Sequence, residues 1–291
     1  MSQVSTYALM AYSMALIDSK EKELVEQMTV NAYYYSQTAL ETLAQGNLAA
    51  ALPLFDQAVN YVNAIPDFIA NVSGGINEYN FRVFGDYNFT NIQQYVNTTA
   101  IRTAWGVPVN MSYSISSALV GQALGRWDQI VSCIDDVAFV LNYMPVLLYN
   151  GQDDMLINTA GTLEWIGKMQ WPGNSEFYNA QHQNWVLNDG KTPAGYAQSA
   201  RNLTFVLVYK SGHLVPMDQI DVSVEMIRRF VEGASNWTNN TTPDSNYGSH
   251  PKSKRSSKLL KNFEIPSKEY LEKVYLNKSL NADKIIISSD L

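Results

Sequence analysis

The stretch Tyr209-Lys-Ser-Gly-His-Leu-Val-Pro-Met-Asp218 joins an apolar β run, Phe205-Val-Leu-Val-Tyr209, to a predicted helix. Gly212 allows a tight turn in this stretch, and Pro216 restricts the backbone where the loop ends. A loop directly after a buried strand is a common place for a histidine that transfers protons. His213 is therefore the first candidate functional residue.

A second apolar run, Met144-Pro-Val-Leu-Leu-Tyr149, ends in Asn150-Gly-Gln-Asp-Asp154. A carboxylate after one buried strand, followed by a histidine after a later one, matches the order of acid and base in α/β hydrolases. Strands alternating with helices predict an α/β fold with a parallel sheet covered on both faces.

Asp153 and Asp154 compete for the role of the acid. Adjacent residues that leave a strand point in different directions, so we expect only one of them to reach the histidine. The other is a candidate cap for a helix that begins near Leu156. The alternative is that both are loop carboxylates without a chemical role.

The sequence contains three histidines, His182, His213 and His250. His250 falls in the polar C-terminal segment, and His182 lies in a polar stretch that no strand precedes. His213 is the one with a strand before it and a loop around it. A surface-loop histidine without chemistry is the alternative interpretation, and the acidic element at 150–154 favours the functional one.

Helical patterns dominate residues 19–63, with Asp18 or Ser19 as the first cap and Pro66 as the predicted end of the region. Residues 71–106 are predicted to form loops and short elements. The segment 46–58 resembles half of a tetratricopeptide repeat, but the sequence contains no second copy. Residues 234–258 are polar and then basic, which is typical of a disordered tail.

The net charge of −7 disfavours a nucleic-acid-binding surface, which requires a basic face. The apolar segment 7–17 is too short to span a bilayer, and no basic residue precedes it as in a signal peptide. We therefore expect no nucleic-acid partner and no membrane span.

Asn-X-Ser/Thr acceptor sequences are more frequent than the composition predicts, which favours a secreted or lysosomal/vacuolar glycoprotein. The alternative is a genome that uses asparagine heavily. The lone Cys133 cannot form an internal disulfide. The candidate glycosylation sites are Asn71, Asn88, Asn97, Asn110, Asn202 and Asn236.

The segments 146–158 and 211–219 together resemble the serine carboxypeptidases, and most closely their vitellogenic-like branch. The resemblance runs from about Tyr7 to Gly233 and includes Tyr79-Asn-Phe81. It implies the C-terminal portion of an α/β-hydrolase fold with a helical insertion, or cap, domain. The implied organisation is a segment following a lost core strand at 1–18, the helical and irregular insertion at 19–110, the C-terminal part of the core at 111–233 and a largely disordered tail at 234–291.

The resemblance also implies residue roles. It makes Asp154 the acid and His213 the base, in a reaction that releases C-terminal residues from peptides. Peptide C-termini are then the expected substrates, and no metal and no cofactor are expected.

The chain departs from the family at the nucleophile. It contains no Gly-X-Ser-X-Gly turn, and Met1 falls where the family has already passed its own serine turn. Ile220 also replaces a proline that is usual after the histidine motif. We therefore expect this chain to be inactive by itself, with a missing N-terminal chain as one candidate partner. The alternative is a non-catalytic binding or regulatory relic of a serine carboxypeptidase.

Overall fold

The structure is a computed structural model that describes residues 2–108, 110–121, 123, 130–233 and 237. Except for Trp237, the predicted tail at 234–291 lies outside these ranges. In chain order, the elements are α1 (Ser2–Ser13), α2 (Ser19–Ala44), α3 (Leu48–Val72), β1 (Ile76–Asn77), β2 (Asn80–Phe84), α4 (Thr90–Val96), α5 (Thr99–Ala104), α6 (Ile134–Val140), β3 (Val146–Gly151), α7 (Thr159–Lys168), α8 (Asn174–Asn179), β4 (Gln183–Val186), β5 (Pro193–Ala200), β6 (Leu203–Val208), α9 (Val215–Asp218) and α10 (Ile220–Glu232).

Helices α2 and α3 form an antiparallel hairpin, and a local capping motif determines where it begins. Asp18 caps α2: its side chain accepts the backbone N–H groups of Lys20 and Glu21, and the Glu21 side chain accepts the N–H of Asp18. Gly46 provides the positive φ, +78°, that the turn between the helices requires. The prediction of helices from Ser19 onward is confirmed. None of the helices in the described ranges has the length and apolar character needed to cross a membrane.

Pro66 does not end the helical region, so that prediction was wrong. Helix α3 continues through Pro66 to Val72. An internal proline costs a helix about 3 kcal/mol, because one hydrogen bond is lost and the ring crowds the preceding turn. Here Ile65, Pro66 and Ile69 are all buried, and their burial offsets the local cost.

The sheet has the strand order β3-β6-β5-β4. Strands β3 and β6 are parallel, as the sequence predicts, but β5 runs antiparallel to both β6 and β4. The prediction of an all-parallel sheet was therefore wrong. The turn between β5 and β6 contains Arg201 with a positive φ of 48°, and such a tight connection forces antiparallel pairing.

Both faces of the sheet are covered by helices, as predicted. Alternate residues of a strand face opposite sides of its sheet. Leu203 and Phe205 of β6 pack in one buried cluster with residues of α6 and α7. Val206 and Val208 pack in another cluster with residues of α10. Strand β6 is therefore the centre of the core, and the loop that leaves it has a rigid base.

Candidate active site

His213 lies on the loop that joins β6 to α9, and the β1–β2 hairpin supports this loop. The His213 amide donates to the Tyr79 carbonyl oxygen at 2.6 Å. A Cβ on Gly212 would lie 2.5 Å from the Cβ of Asn80 and closer still to the Tyr79 carbonyl oxygen. Gly212 has no positive φ. Glycine is therefore required here for close approach to the hairpin, rather than for the turn that the sequence suggests.

Asp154 follows β3, and its carboxylate meets the imidazole of His213. The two strands are parallel neighbours, so their carboxyl ends lie at the same edge of the sheet. Nδ1 of His213 is 3.0 Å from Oδ2 of Asp154, whose side chain is only 3% exposed. The other oxygen, Oδ1, accepts the Ile157 amide at 2.9 Å. The structure thus brings the two predicted residues into direct contact and holds the carboxylate from both sides.

Asp153 has a different partner. Its Oδ2 lies 3.4 Å from Nη1 of Arg82 on β2, and burial is the main cause that raises the pKa of Asp153. The prediction that the second carboxylate caps the following helix was wrong. That helix begins at Thr159, and its cap is Asn158, whose side chain accepts the Gly161 amide. Of the two adjacent carboxylates, Asp154 is the one that contacts the histidine.

The surroundings of His213 favour its charged form. The pKa of His213 is raised, chiefly by the hydrogen bond to Asp154 and further by the charges of Asp154 and Glu78, while burial acts in the opposite direction. The Tyr79 ring lies beside the imidazole, with 5.4 Å between ring centroids. The His213 side chain is still 34% exposed, so the ring is accessible from one side.

A cavity of about 460 Å³ borders the site, and Tyr79 forms part of its wall. Asp67 and Glu78 also line it. The pKa of Glu78 is raised, first by burial and then by the charges of Asp67 and Asp86. The site is therefore flanked by an acidic cavity on the side of α1 and α3.

Sequence reasoning missed the supports of the histidine loop. Asp218 accepts hydrogen bonds from the Gly212 amide and from the Asn80 side chain. Asp218 stands within the decisive stretch, yet no local pattern indicates that its side chain turns back to the loop. Asn80 belongs to the segment Tyr79-Asn-Phe81, which carried the resemblance but no assigned role.

A second histidine, His182, is not part of this site. His182 is exposed and stacks on Tyr196, with 4.3 Å between the ring centroids. His250 lies outside the described residues.

The candidate glycosylation sites differ in accessibility. Asn71, Asn88 and Asn110 are exposed. The Nδ2 of Asn97 donates to the carbonyl oxygens of Gln93 and Tyr113, and the Nδ2 of Asn202 donates to that of Leu141. Asn236 lies outside the described residues.

Comparisons with known proteins find a family and relatives that this chain resembles. A family model described as serine carboxypeptidase matches residues 1–233. The pheromone-processing carboxypeptidase KEX1 of Phytophthora infestans is 31% identical over 205 residues, which are 64% of this chain and 34% of that protein. Serine carboxypeptidase-like 47 of Arabidopsis thaliana is 28% identical over 235 residues, covering 79% of this chain and 44% of that protein.

Among solved structures, Kex1(delta)p, a prohormone-processing carboxypeptidase from Saccharomyces cerevisiae, superposes with a TM-score of 0.60 at 22% identity. The match covers 80% of this chain and 52% of that one. The chain therefore spans a third to about half of the length of these relatives, and the α/β fold predicted from its strands is confirmed. Since the family model covers most of the sequence, the chain belongs to the serine carboxypeptidase family.

Proposed function

We propose that Asp154 and His213 are the acid and the base of a serine-type carboxypeptidase centre. The observation that carries this proposal is the 3.0 Å contact between Oδ2 of Asp154 and Nδ1 of His213 at the ends of two adjacent parallel strands. Membership of the serine carboxypeptidase family supports the reaction class. The substrates of the whole protein are then peptides, from which C-terminal residues are released.

The geometry supports a distinct role for each residue in this proposed reaction. A carboxylate that accepts the Nδ1–H proton leaves Nε2 as the basic nitrogen of the neutral ring. Nε2 then takes the proton of a serine hydroxyl and returns it to the leaving amine. Asp154, buried and held by the Ile157 amide, stabilises the imidazolium that forms between these steps. The raised pKa of His213 reflects the same stabilisation.

The nucleophile is the open part of this proposal. The 291 residues contain no Gly-X-Ser-X-Gly turn. We assign the serine to polypeptide other than these residues, either a preceding segment or a second chain. Loss of the serine alone lowers turnover by about a million-fold in a well-studied triad. The chain by itself is therefore proposed to be inactive.

A second function is favoured by the same absence. A relic that retains the Asp–His pair without a serine would bind peptides or partners and catalyse nothing. This alternative places the protein in the same family but predicts that no reactive serine accompanies it in the cell.

We also propose a secretory or lysosomal/vacuolar route, which the acceptor sequences support. Asn71, Asn88 and Asn110 have exposed side chains, whereas the Nδ2 atoms of Asn97 and Asn202 are engaged by carbonyl oxygens. We expect glycans on the first three sites in preference to the last two. Mass mapping of enzymatically deglycosylated peptides from the native protein checks this, and a protein without any glycan contradicts the route.

Fluorophosphonate labelling tests the catalytic proposal. The product of the complete transcript, purified from a secretory host, is labelled and its modified peptide is mapped by mass spectrometry. We expect labelling at a serine outside these 291 residues. The rate of labelling should fall by about a thousand-fold or more in the His213→Ala variant. The matched control is His182→Ala, which removes an exposed histidine that is not part of the site and is expected to label normally.

Two outcomes would contradict the proposal. Labelling of a serine within the 291-residue chain expressed alone, with dependence on His213, refutes the proposed inactivity. A folded complete product that neither labels nor releases C-terminal residues supports the relic instead.

A further inference from the structure

The carboxylate of Asp218 accepts hydrogen bonds from several groups around the histidine loop. Its Oδ2 accepts the Gly212 amide at 2.7 Å and the Asn80 Nδ2 at 3.0 Å. The Tyr87 hydroxyl lies 3.0 Å from Oδ1 and 2.9 Å from Oδ2. A single carboxylate at the end of α9 therefore joins the loop, strand β2 and the segment after β2.

The contact with Gly212 determines the direction of the next side chain. The Gly212 amide directly precedes the residue that carries the imidazole, and the His213 amide is bound to the Tyr79 carbonyl oxygen. Two consecutive N–H groups are thus held by fixed acceptors. Because Gly212 has no room for a side chain against the hairpin, the loop cannot shift toward it. The backbone on both sides of the His213 Cα is therefore constrained. This fixes the direction of the Cα–Cβ bond, which points the imidazole toward Asp154.

The partners of Asp218 have their own hydrogen bonds. Asn80 is buried, and its Oδ1 accepts the Arg82 amide at 3.1 Å. This bond orients the amide so that Nδ2 faces Asp218. The pKa of Tyr87 is raised to about 12, mainly by burial, and the hydrogen bond to Asp218 contributes to the increase. The Tyr87 hydroxyl therefore keeps its proton as a donor.

We propose that Asp218 is a positioning residue, which holds the Gly212–His213 backbone against the β1–β2 hairpin so that Nδ1 of His213 faces Asp154. This role rests on the proposed function, because it matters for catalysis only if the pair is the acid and base. Asp218 contacts neither the imidazole nor its Asp154 partner through any hydrogen bond described for it. It acts through the backbone.

The charged and titratable groups that act on the ring itself are different ones. Asp154 comes from the loop after β3, and Glu78 precedes β2. Tyr79 provides the ring contact. Since Asp218 is not among these groups, its removal is expected to change the geometry of the pair more than its electrostatics.

The tautomer of the neutral His213 ring measures this geometry. We would label the full 291-residue chain with ¹⁵N-histidine and record long-range ¹H–¹⁵N spectra above the pKa of His213. The Nδ1–H tautomer is expected in the unmodified chain, because Asp154 accepts that proton. In Asp218→Ala, the ratio of Nδ1–H to Nε2–H tautomer should fall by about tenfold or more, as charge-assisted hydrogen bonds depend on alignment. His182 serves as the internal reference in each spectrum.

Two further variants make the result interpretable. Asp221→Ala removes an exposed carboxylate from the first turn of α10, and it should keep the tautomer ratio of the unmodified chain. Asp218→Asn keeps one acceptor oxygen, whose hydrogen bonds are about half as strong as those of a carboxylate. We therefore expect the tautomer ratio to fall by an intermediate factor of about three. A folded Asp218→Ala chain with the unmodified ratio overturns the proposal, and so does an equal change in Asp221→Ala. If Asp218→Ala does not fold, an unmodified ratio in Asp218→Asn overturns it.

The measurement involves no substrate and no serine. A failed labelling experiment therefore refutes the proposed function while leaving the tautomer result valid. Conversely, an unchanged tautomer refutes the role of Asp218 while the Asp154–His213 pair retains its proposed function.

Discussion

Replacing Asp154 by asparagine tests the central contact with a change of one atom. The variant removes the charge beside Nδ1 of His213 but keeps an oxygen that can accept its proton. If the carboxylate is the main cause of the raised pKa of His213, as its hydrogen bond indicates, the pKa must fall in this variant. The adjacent Asp153→Asn variant is the matched control, because Asp153 pairs with Arg82 instead.

The size of the fall follows from the 3.0 Å separation of the two atoms. Two unit charges at this distance interact by about 1.4 kcal/mol when screened as in water and by about 5.5 kcal/mol at an effective dielectric constant of about 20. Because the ring is one-third exposed, the screened value is the appropriate guide. About 1.4 kcal/mol corresponds to one pKa unit, so we expect a fall of about one unit or more.

The assay is an NMR titration of the ¹⁵N-histidine-labelled chain, with His182 as the internal reference. We expect the pKa of His213 to fall in Asp154→Asn and to change by less than about 0.3 unit in Asp153→Asn. Equal falls in both variants, or no fall in either, would refute the assignment of Asp154 as the partner of His213.

The same pair makes stability depend on pH. A histidine whose pKa is raised in the folded state stabilises it fully below the unfolded pKa of about 6.5, and this contribution is lost as the pH rises through the raised value. The stability difference between the unmodified chain and Asp154→Asn should therefore be larger at about pH 5.5 than at about pH 8.5. Urea unfolding at the two pH values measures it, and a difference that grows with pH contradicts the assignment.

Two further predictions concern packing and buried charge. Gly212→Ala should lower the free energy of unfolding by about 1–3 kcal/mol, because the new methyl group meets the hairpin. Gly167→Ala, in the last turn of α7, places its methyl group in open space and should leave stability unchanged or raise it. Thermal unfolding compares the two, and equal losses would contradict the close approach. Glu225→Ala should lower the free energy of unfolding by about 3–5 kcal/mol. The change removes the carboxylate 2.6 Å from the Arg229 guanidinium and leaves this side chain, which is 6% exposed, without a charged partner. Glu232→Ala removes an exposed partner and should lower the free energy of unfolding by less than about 1 kcal/mol. Urea unfolding of both variants measures this, and similar losses would count against the buried pair.

Local patterns in the sequence predicted the parts of the fold that local interactions dictate. The cap at Asp18 and the apolar runs of β3 and β6 are read from neighbouring residues, and the structure confirms them. Pro66 was misjudged because the helix around it is stabilised by burial, which depends on distant residues. The parallel sheet was misjudged because β5 pairs antiparallel with β6, and no single run of residues states which neighbour a strand will pair with.

The candidate site divides in the same way. Two loops, each following a buried strand, were enough to nominate a carboxylate and a histidine and to recognise the family. The residues of the two loops alone left Asp153 and Asp154 open, since adjacent residues share nearly the same sequence context, and the resemblance to the family then favoured Asp154. Nor did they indicate Asp218, whose bond to Gly212 depends on how α9 returns toward the loop.

The sequence by itself determined the family, the two strands β3 and β6 and the positions of the acidic and histidine loops, because these follow from short-range order along the chain. The tertiary structure brings the carboxylate that the resemblance favoured, Asp154, against His213, and it decided which side chains hold the histidine loop and which strands run antiparallel. The physical reason is that the contact between Asp154 and His213 joins residues 59 positions apart. Packing of β3 against β6 and of the β1–β2 hairpin against the histidine loop brings such residues within hydrogen-bond distance, and no local rule contains that packing.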